Sequence, residues 1–145
     1  MRSLIVYDSN FGNTKEIADA IAAGIGDDAT VVKVRDVGES DMAGMGLIVV
    51  GSPILGWRPS EKISKFLNNF RGERLRGVKA AAFDTRMKLF FHGDAAHKIS
   101  KALEEAGATI ITDPTPFFVK GKEGPLFKGE VERATEWGRK MGERM

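Results

Sequence analysis

The residues able to do chemistry gather in three short segments. The first is Asp8-Ser9-Asn10-Phe11-Gly12-Asn13-Thr14, polar, with one glycine, leading into a helical pattern. The Ser9 and Thr14 hydroxyls, the Asn10 and Asn13 amides and free backbone N–H groups at a helix start can surround a phosphate. The helix dipole adds roughly 0.3–1 kcal/mol at an exposed site. The segment is neither G-x-x-x-x-G-K-S/T nor G-x-G-x-x-G, so no ATP or NAD cradle is indicated. It reads equally as an ordinary polar turn into a capped helix. The second segment, Gly51-Ser52-Pro53-Ile54-Leu55-Gly56-Trp57-Arg58, carries a tryptophan beside a glycine. The third, residues 83–94, carries Phe90, Phe91 and His92 in a row. Such rings exceed what a solvated turn needs and offer faces to a flat aromatic ligand. They also suit an apolar cluster tucked beneath a loop. His92 and His97 have no zinc spacing, and no Ser-His-Asp set can be assembled.

The elements that must position these segments alternate. Apolar runs at residues 3–7, 30–34, 47–51, 78–83 and 108–112 read as strands, and near-continuous apolarity suits burial on both faces of a parallel sheet. Residues 30–34 are the most polar run, which places them at an edge. Between the strands, Ile17, Ile21 and Ile25, then Ile63, Phe66, Leu67 and Phe70, then Ile99, Leu103 and Ala106, recur at helical spacing, with Ala134 and Met141 in a last helix. Ser60 and Asp94 stand where helix caps belong. Asp113-Pro114-Thr115-Pro116 predicts a bulge or edge in the last strand, with residues 117–119 as its continuation. Residues 120–129 read as a surface loop. Five strands alternating with helices predict an open, doubly wound α/β sheet with helices on both faces. In such sheets ligands sit beyond the carboxyl ends of the strands, where loops 8–14, 52–59 and 84–93 converge.

Composition narrows the setting. The chain has 145 residues, a formal charge of +2 and no cysteine. That excludes a disulfide framework, Cys-ligated metal and thiol catalysis. No apolar run approaches the roughly 18 residues of a membrane span, and no secretory leader pattern opens the chain. The expectation is one cytoplasmic domain over residues 1–145. The charge is uneven: residues 1–56 carry four basic and eight acidic side chains, residues 57–79 seven basic and two acidic. A basic middle suits an acidic partner, or simply a solvated helix face.

Residues 9–14 resemble the flavodoxin phosphate loop, S/T-x-T-G-x-T. They match at Ser9, Gly12, Thr14 and the common Asn13, and depart at Phe11, where the family usually has a hydroxyl. The lost hydrogen bond is worth about 0.5–1.5 kcal/mol. The resemblance spans the chain and implies a five-stranded parallel sheet of order 2-1-3-4-5 and one non-covalent FMN. It implies that Ser9, Asn10, Phe11, Gly12, Asn13 and Thr14 hold the phosphate. Ser52, Pro53, Ile54, Leu55, Gly56 and Trp57 would form the first flavin-flanking loop. Leu55 takes the position of the family's flavin-covering tryptophan, and Trp57 lies two residues on. Gly56 matches the glycine whose carbonyl turns towards reduced flavin N5. Asp84, Thr85 and Arg86 replace the family's small G-x-G-D, and Phe90, with Phe91 beside it, falls where a tyrosine usually stacks. Arg58, Arg86 and Lys88 reverse the acidic rim of typical members, which predicts a less negative potential for the fully reduced anionic flavin.

The function implied is electron transfer, with FMN shuttling electrons between a separate reductase or ferredoxin-like donor and an acceptor. The basic stretch predicts an acidic redox partner at the third helix and flavin edge; no nucleic acid or membrane partner is expected. Two other readings stand beside it: a small FMN-dependent quinone or nitro-compound reductase, and a cofactor-free binding module on the same fold.

Overall fold

A computed structural model describes residues 2–55, 57–70, 72–88 and 93–144. The elements are β1 (Arg2–Tyr7), α1 (Asn13–Ile25), β2 (Ala29–Lys33), α2 (Glu39–Met42), β3 (Met45–Pro53), α3 (Glu61–Asn68), β4 (Lys79–Met87), α4 (Ala95–Glu105), β5 (Thr109–Ile110), β6 (Thr115–Val119) and α5 (Glu130–Glu143). All strand pairs are parallel, in the order β2-β1-β3-β4-β5, with β6 also on β4. This is the expected doubly wound sheet, with the polar β2 at its edge.

Alternation along each strand divides the core in two. Leu4, Val6, Ile48, Val50, Ala80 and Ala82 face α3 and α4 through Ile63, Phe66, Ile99 and Leu103. Ile5, Tyr7, Leu47, Val49, Ala81 and Phe83 face α1 and α5 through Ile17, Ile21, Ala134 and Met141. Fully burying each larger aliphatic or aromatic side chain contributes roughly 1.5–3 kcal/mol. Both capping expectations hold: Ser60 Oγ accepts from Ile63 N–H at 3.3 Å, and Asp94 Oδ1 from His97 N–H at 2.9 Å.

The last strand position differs in detail from the continuous run read at 108–112. β5 pairs Thr109 with Lys79, whereas β6 pairs Thr115 with Phe83. The offset grows from 30 to 32, so two residues loop out where Pro114 and Pro116 withhold their donors. The short α2 (Glu39–Met42) was not legible as a periodic segment.

Register sets the carboxyl ends of the strands along one edge of the sheet. Tyr7 lies beside Gly51, Gly51 beside Phe83, and Phe83 beside Thr115. β3 runs two residues beyond that level to Pro53, and β4 and β6 four residues beyond it to Met87 and Val119, so the segments after β1, β3 and β6 leave the same edge of the sheet in steps.

Candidate functional site

The β1–α1 turn is organised from its backbone. The buried Asp8 carboxylate accepts the Ser9 N–H at 2.9 Å, and Ser9 Oγ accepts the Gly12 N–H at 2.9 Å. Gly12 turns the chain into α1 at φ +88°, a conformation that strongly favours glycine. No side chain caps α1. The first-turn N–H groups of Asn13, Thr14 and Lys15 therefore point out of the helix without intrahelical acceptors. Asn10, Phe11 and Asn13 line the cleft in front of them. Thr14, 1% exposed, sets its hydroxyl 2.8 Å from that of Thr85, tying this turn to β4.

The segment after β3 is closed by Ser52, whose hydroxyl donates to the Pro53 carbonyl at 2.7 Å and accepts the Ser60 N–H at 2.9 Å. Leu55 and Arg58 exchange both backbone hydrogen bonds, at 2.8 and 3.3 Å. Trp57 sits at φ +69°, a left-handed conformation unusual for a bulky residue. Its carbonyl accepts Lys98 Nζ from α4 at 3.2 Å. Gly93 lies against it: a Cβ there would fall 2.2 Å from Trp57 Cα. The two flanking segments thus touch through backbone.

The sequence places Asp84, Thr85 and Arg86 in a loop, but β4 continues through Met87 and holds all three within the sheet. Asp84 is fully buried, bonded twice to Arg86 at 2.8 and 2.5 Å, and accepts the Ala96 N–H of α4 at 2.9 Å. Arg86 also reaches Asp94 at 3.3 Å, and Asp94 bonds His97 Nδ1 at 2.6 Å. Burial opposes the Arg86 charge, yet the Asp84 and Asp94 carboxylates hold its guanidinium above the ordinary arginine value. Burial likewise opposes the Asp94 charge, and His97 and Arg86 keep its carboxyl below the usual range. This corrects the expected charge reversal at the rim. Arg86 is balanced by two carboxylates, which removes its share of the argument for a less negative potential. Lys88 lies over the Phe118 and Phe127 rings, 5.3 and 4.7 Å from their centroids.

The three segments meet around a cleft of about 300 Å³. Of the residues singled out from sequence, Ser9, Asn10, Phe11, Asn13 and Thr14 line one end, and Pro53, Ile54, Leu55 and Trp57 one wall. Thr85 and Arg86 form part of the floor. Gly12, Ser52 and Asp84 are not in the lining; they shape the turn or hold it from beneath. Gly56, Phe90, Phe91 and His92 lie outside the described residues. Met87 and Gly93, within the third expected segment but not singled out in it, also line the cleft, as do Val119 and Lys122, which lie outside all three segments. Residues 120–129 read only as a surface loop; the signal for the last two is the strand-like run 117–119 taken with the rule that ligands sit at strand carboxyl ends.

These residues suit a phosphate-bearing flat ring. Uncapped helix N–H groups stand with hydroxyl and amide side chains at one end, and apolar side chains flank the rest. The three exposed large apolar residues among those described are Phe11 (48%), Leu55 (38%) and Trp57 (58%), and all three face this cleft. Among the described residues no group of His, Cys, Asp and Glu could hold a metal, and no helix is long and apolar enough to cross a membrane.

A family model described as a flavodoxin domain matches residues 4–111. The anaerobic nitric oxide reductase flavorubredoxin of Aliivibrio fischeri is 36% identical over 115 residues, 73% of this chain and 23% of that protein. The coenzyme F420H(2) oxidase of Methanothermobacter marburgensis is 26% identical over a 152-residue alignment, 97% of this chain and 35% of that one. The chain thus spans only about a quarter to a third of the curated relatives it matches. Oxidised Flavodoxin 1 from Bacillus cereus superposes with a TM-score of 0.83 at 22% identity, over 100% of this chain and 99% of that one. With register, cleft and family match together, the chain belongs to the flavodoxin family, whose cofactor is FMN.

Proposed function

We propose that the chain holds one FMN in this cleft and carries electrons between separate redox proteins. The observation that supports it is the convergence of Phe11, Leu55 and Trp57 on a cleft whose far end is the uncapped N-terminus of α1. Apolar side chains left exposed on one concave surface suit a buried aromatic ligand. When bound, FMN supplies one- and two-electron redox chemistry.

The chain's own residues do the rest. The first-turn N–H groups of α1, with Ser9, Asn10 and Asn13, bind the phosphate. Thr14 is tied to Thr85 and keeps that turn on the sheet. Leu55 and Trp57 cover one ring face and exclude water there. Pro53 and Ile54 wall the slot, while Ser52 and Asp84 fix the surrounding backbone. The donor and acceptor are separate proteins, docking on the face that carries Arg58, next to Trp57, and Lys62 at the start of α3, and an acidic partner fits that sign.

Titrating flavin-free protein with FMN tests the reading. The expected result is stoichiometric quenching of flavin fluorescence and a yellow protein that exchanges electrons with a ferredoxin. Failure to bind FMN leaves the cofactor-free reading. Turnover of quinones or nitro compounds with NAD(P)H by the loaded chain alone establishes the reductase reading instead.

A further inference from the structure

The segment between β6 and α5 is built as a hairpin. Val119 and Leu126 form an antiparallel bridge, Lys120 N–H donates to the Pro125 carbonyl at 2.8 Å, and Phe127 N–H to the Phe118 carbonyl at 3.0 Å. At the tip, Gly124 N–H donates to the Gly121 carbonyl at 2.9 Å, so Lys122 and Glu123 are the two central turn residues. The tip sits on the start of α1. Asn13 Nδ2 donates to the Glu123 carbonyl at 3.1 Å, and a Cβ on Gly124 would lie 2.6 Å from Asn13 Oδ1.

This seat decides which charge faces the cleft. Lys122 lines it and Glu123 does not. Among the described residues Lys122 makes no hydrogen bond or ion pair, whereas the nearby Lys15 is bonded to Asp19 at 2.8 Å. The hairpin thus brings a lysine to the cleft that the first turn of α1 also lines, where Phe11 stands at the position of the hydroxyl that the flavodoxin resemblance implies.

We propose that Lys122 recognises the terminal phosphate of the flavin by charge, making the β6–α5 hairpin a fourth wall of the cofactor site. This rests on the FMN reading above. An exposed cation contributes modestly and is screened by salt. Its contribution belongs to the phosphate alone, because an ammonium gains little from the uncharged ring.

The test compares FMN with riboflavin, which lacks the phosphate, by fluorescence titration at low and high salt. Lys122→Ala is expected to weaken FMN about twofold to fivefold at low salt, and Lys122→Glu further. Both variants should flatten the salt dependence and leave riboflavin affinity unchanged. Lys120→Ala, on the same hairpin but outside the cleft lining, should match the wild type. Unchanged FMN affinity in both Lys122 variants overturns the proposal. Equal losses for FMN and riboflavin, or an equal loss in Lys120→Ala, also overturn it. If the wild type binds neither flavin, the FMN reading itself fails and takes the proposal with it.

Discussion

Arg86 shows how one residue's surroundings decide its meaning. From the sequence, Asp84-Thr85-Arg86 reads as a polar loop that turns the flavin rim positive. In the fold the same residues continue β4, and Asp84 and Arg86 neutralise each other at 0% and 8% exposure. The misreading has a physical cause. A polar run signals a loop unless its groups pair inside the sheet, and pairing two residues apart with help from α4 leaves no periodic signature. Burying both ions is costly, so the pair need add little net stability, but breaking it strands a charge. Arg86→Met should destabilise the protein by about 3–5 kcal/mol in urea unfolding, because Asp84 is then buried without its cation. Replacing Asp84 with Leu in the same chain should restore much of that loss. A single Arg86→Met variant as stable as the wild type would show that the pair carries no such burden.

The junction of β6 and α5 makes the corresponding point for elements. The prolines at 114 and 116 signalled an interrupted strand, and the two-residue offset between β5 and β6 is that interruption. The loop that follows read only as surface, because nothing in a local pattern reports that residues 121–124 will rest on a helix start more than a hundred positions earlier. Glu130, the first residue of α5, fixes the junction. It accepts the Phe118 N–H at 2.8 Å and pairs with Arg133 at 2.7 Å. Burial opposes its charge, but Arg133, the Phe118 N–H and Lys88 hold its carboxyl below the ordinary glutamate value of 4.5. A depressed carboxyl stabilises the fold fully above its unfolded pKa, and loses that contribution as pH falls through its folded value. The Glu130 contribution should therefore be constant near neutrality and disappear in acid, below 4.5. Glu130→Gln should cost roughly 1–2 kcal/mol at pH 7. Its deficit against the wild type should shrink as urea unfolding is repeated towards pH 3. A deficit independent of pH would assign the loss to packing rather than to charge.

Over the whole molecule, a formal charge of +2 conceals which cations are available to a partner. The basic stretch at 57–79 was legible, but its pairing was not, since helical neighbours and distant carbonyls share the same lysines and arginines. Lys65 pairs with Glu61 at 3.2 Å and Arg76 with Glu73 at 3.8 Å. Arg74 donates to the Asn69 carbonyl and Lys79 to that of Arg144, both at 3.1 Å. Among the described residues, the side chains of Arg58 and Lys62 make no ion pair. Both are exposed; Arg58 follows Trp57 in the chain and Lys62 stands in the first turn of α3. Carboxylates offset Lys65 and Arg76, whereas Arg74 and Lys79, bonded to neutral carbonyls, keep their charge and share the long-range field with Arg58 and Lys62. Arg58→Glu with Lys62→Glu should slow electron exchange with an acidic ferredoxin about tenfold at low ionic strength, by stopped-flow absorbance. The gap should close near 0.5 M salt, where the Debye length falls to roughly 4 Å. Flavin affinity should stay at the wild-type value, since neither side chain lines the cleft. Unchanged rates at low salt would place the docking surface elsewhere, while faster rates would mean that the partner is basic.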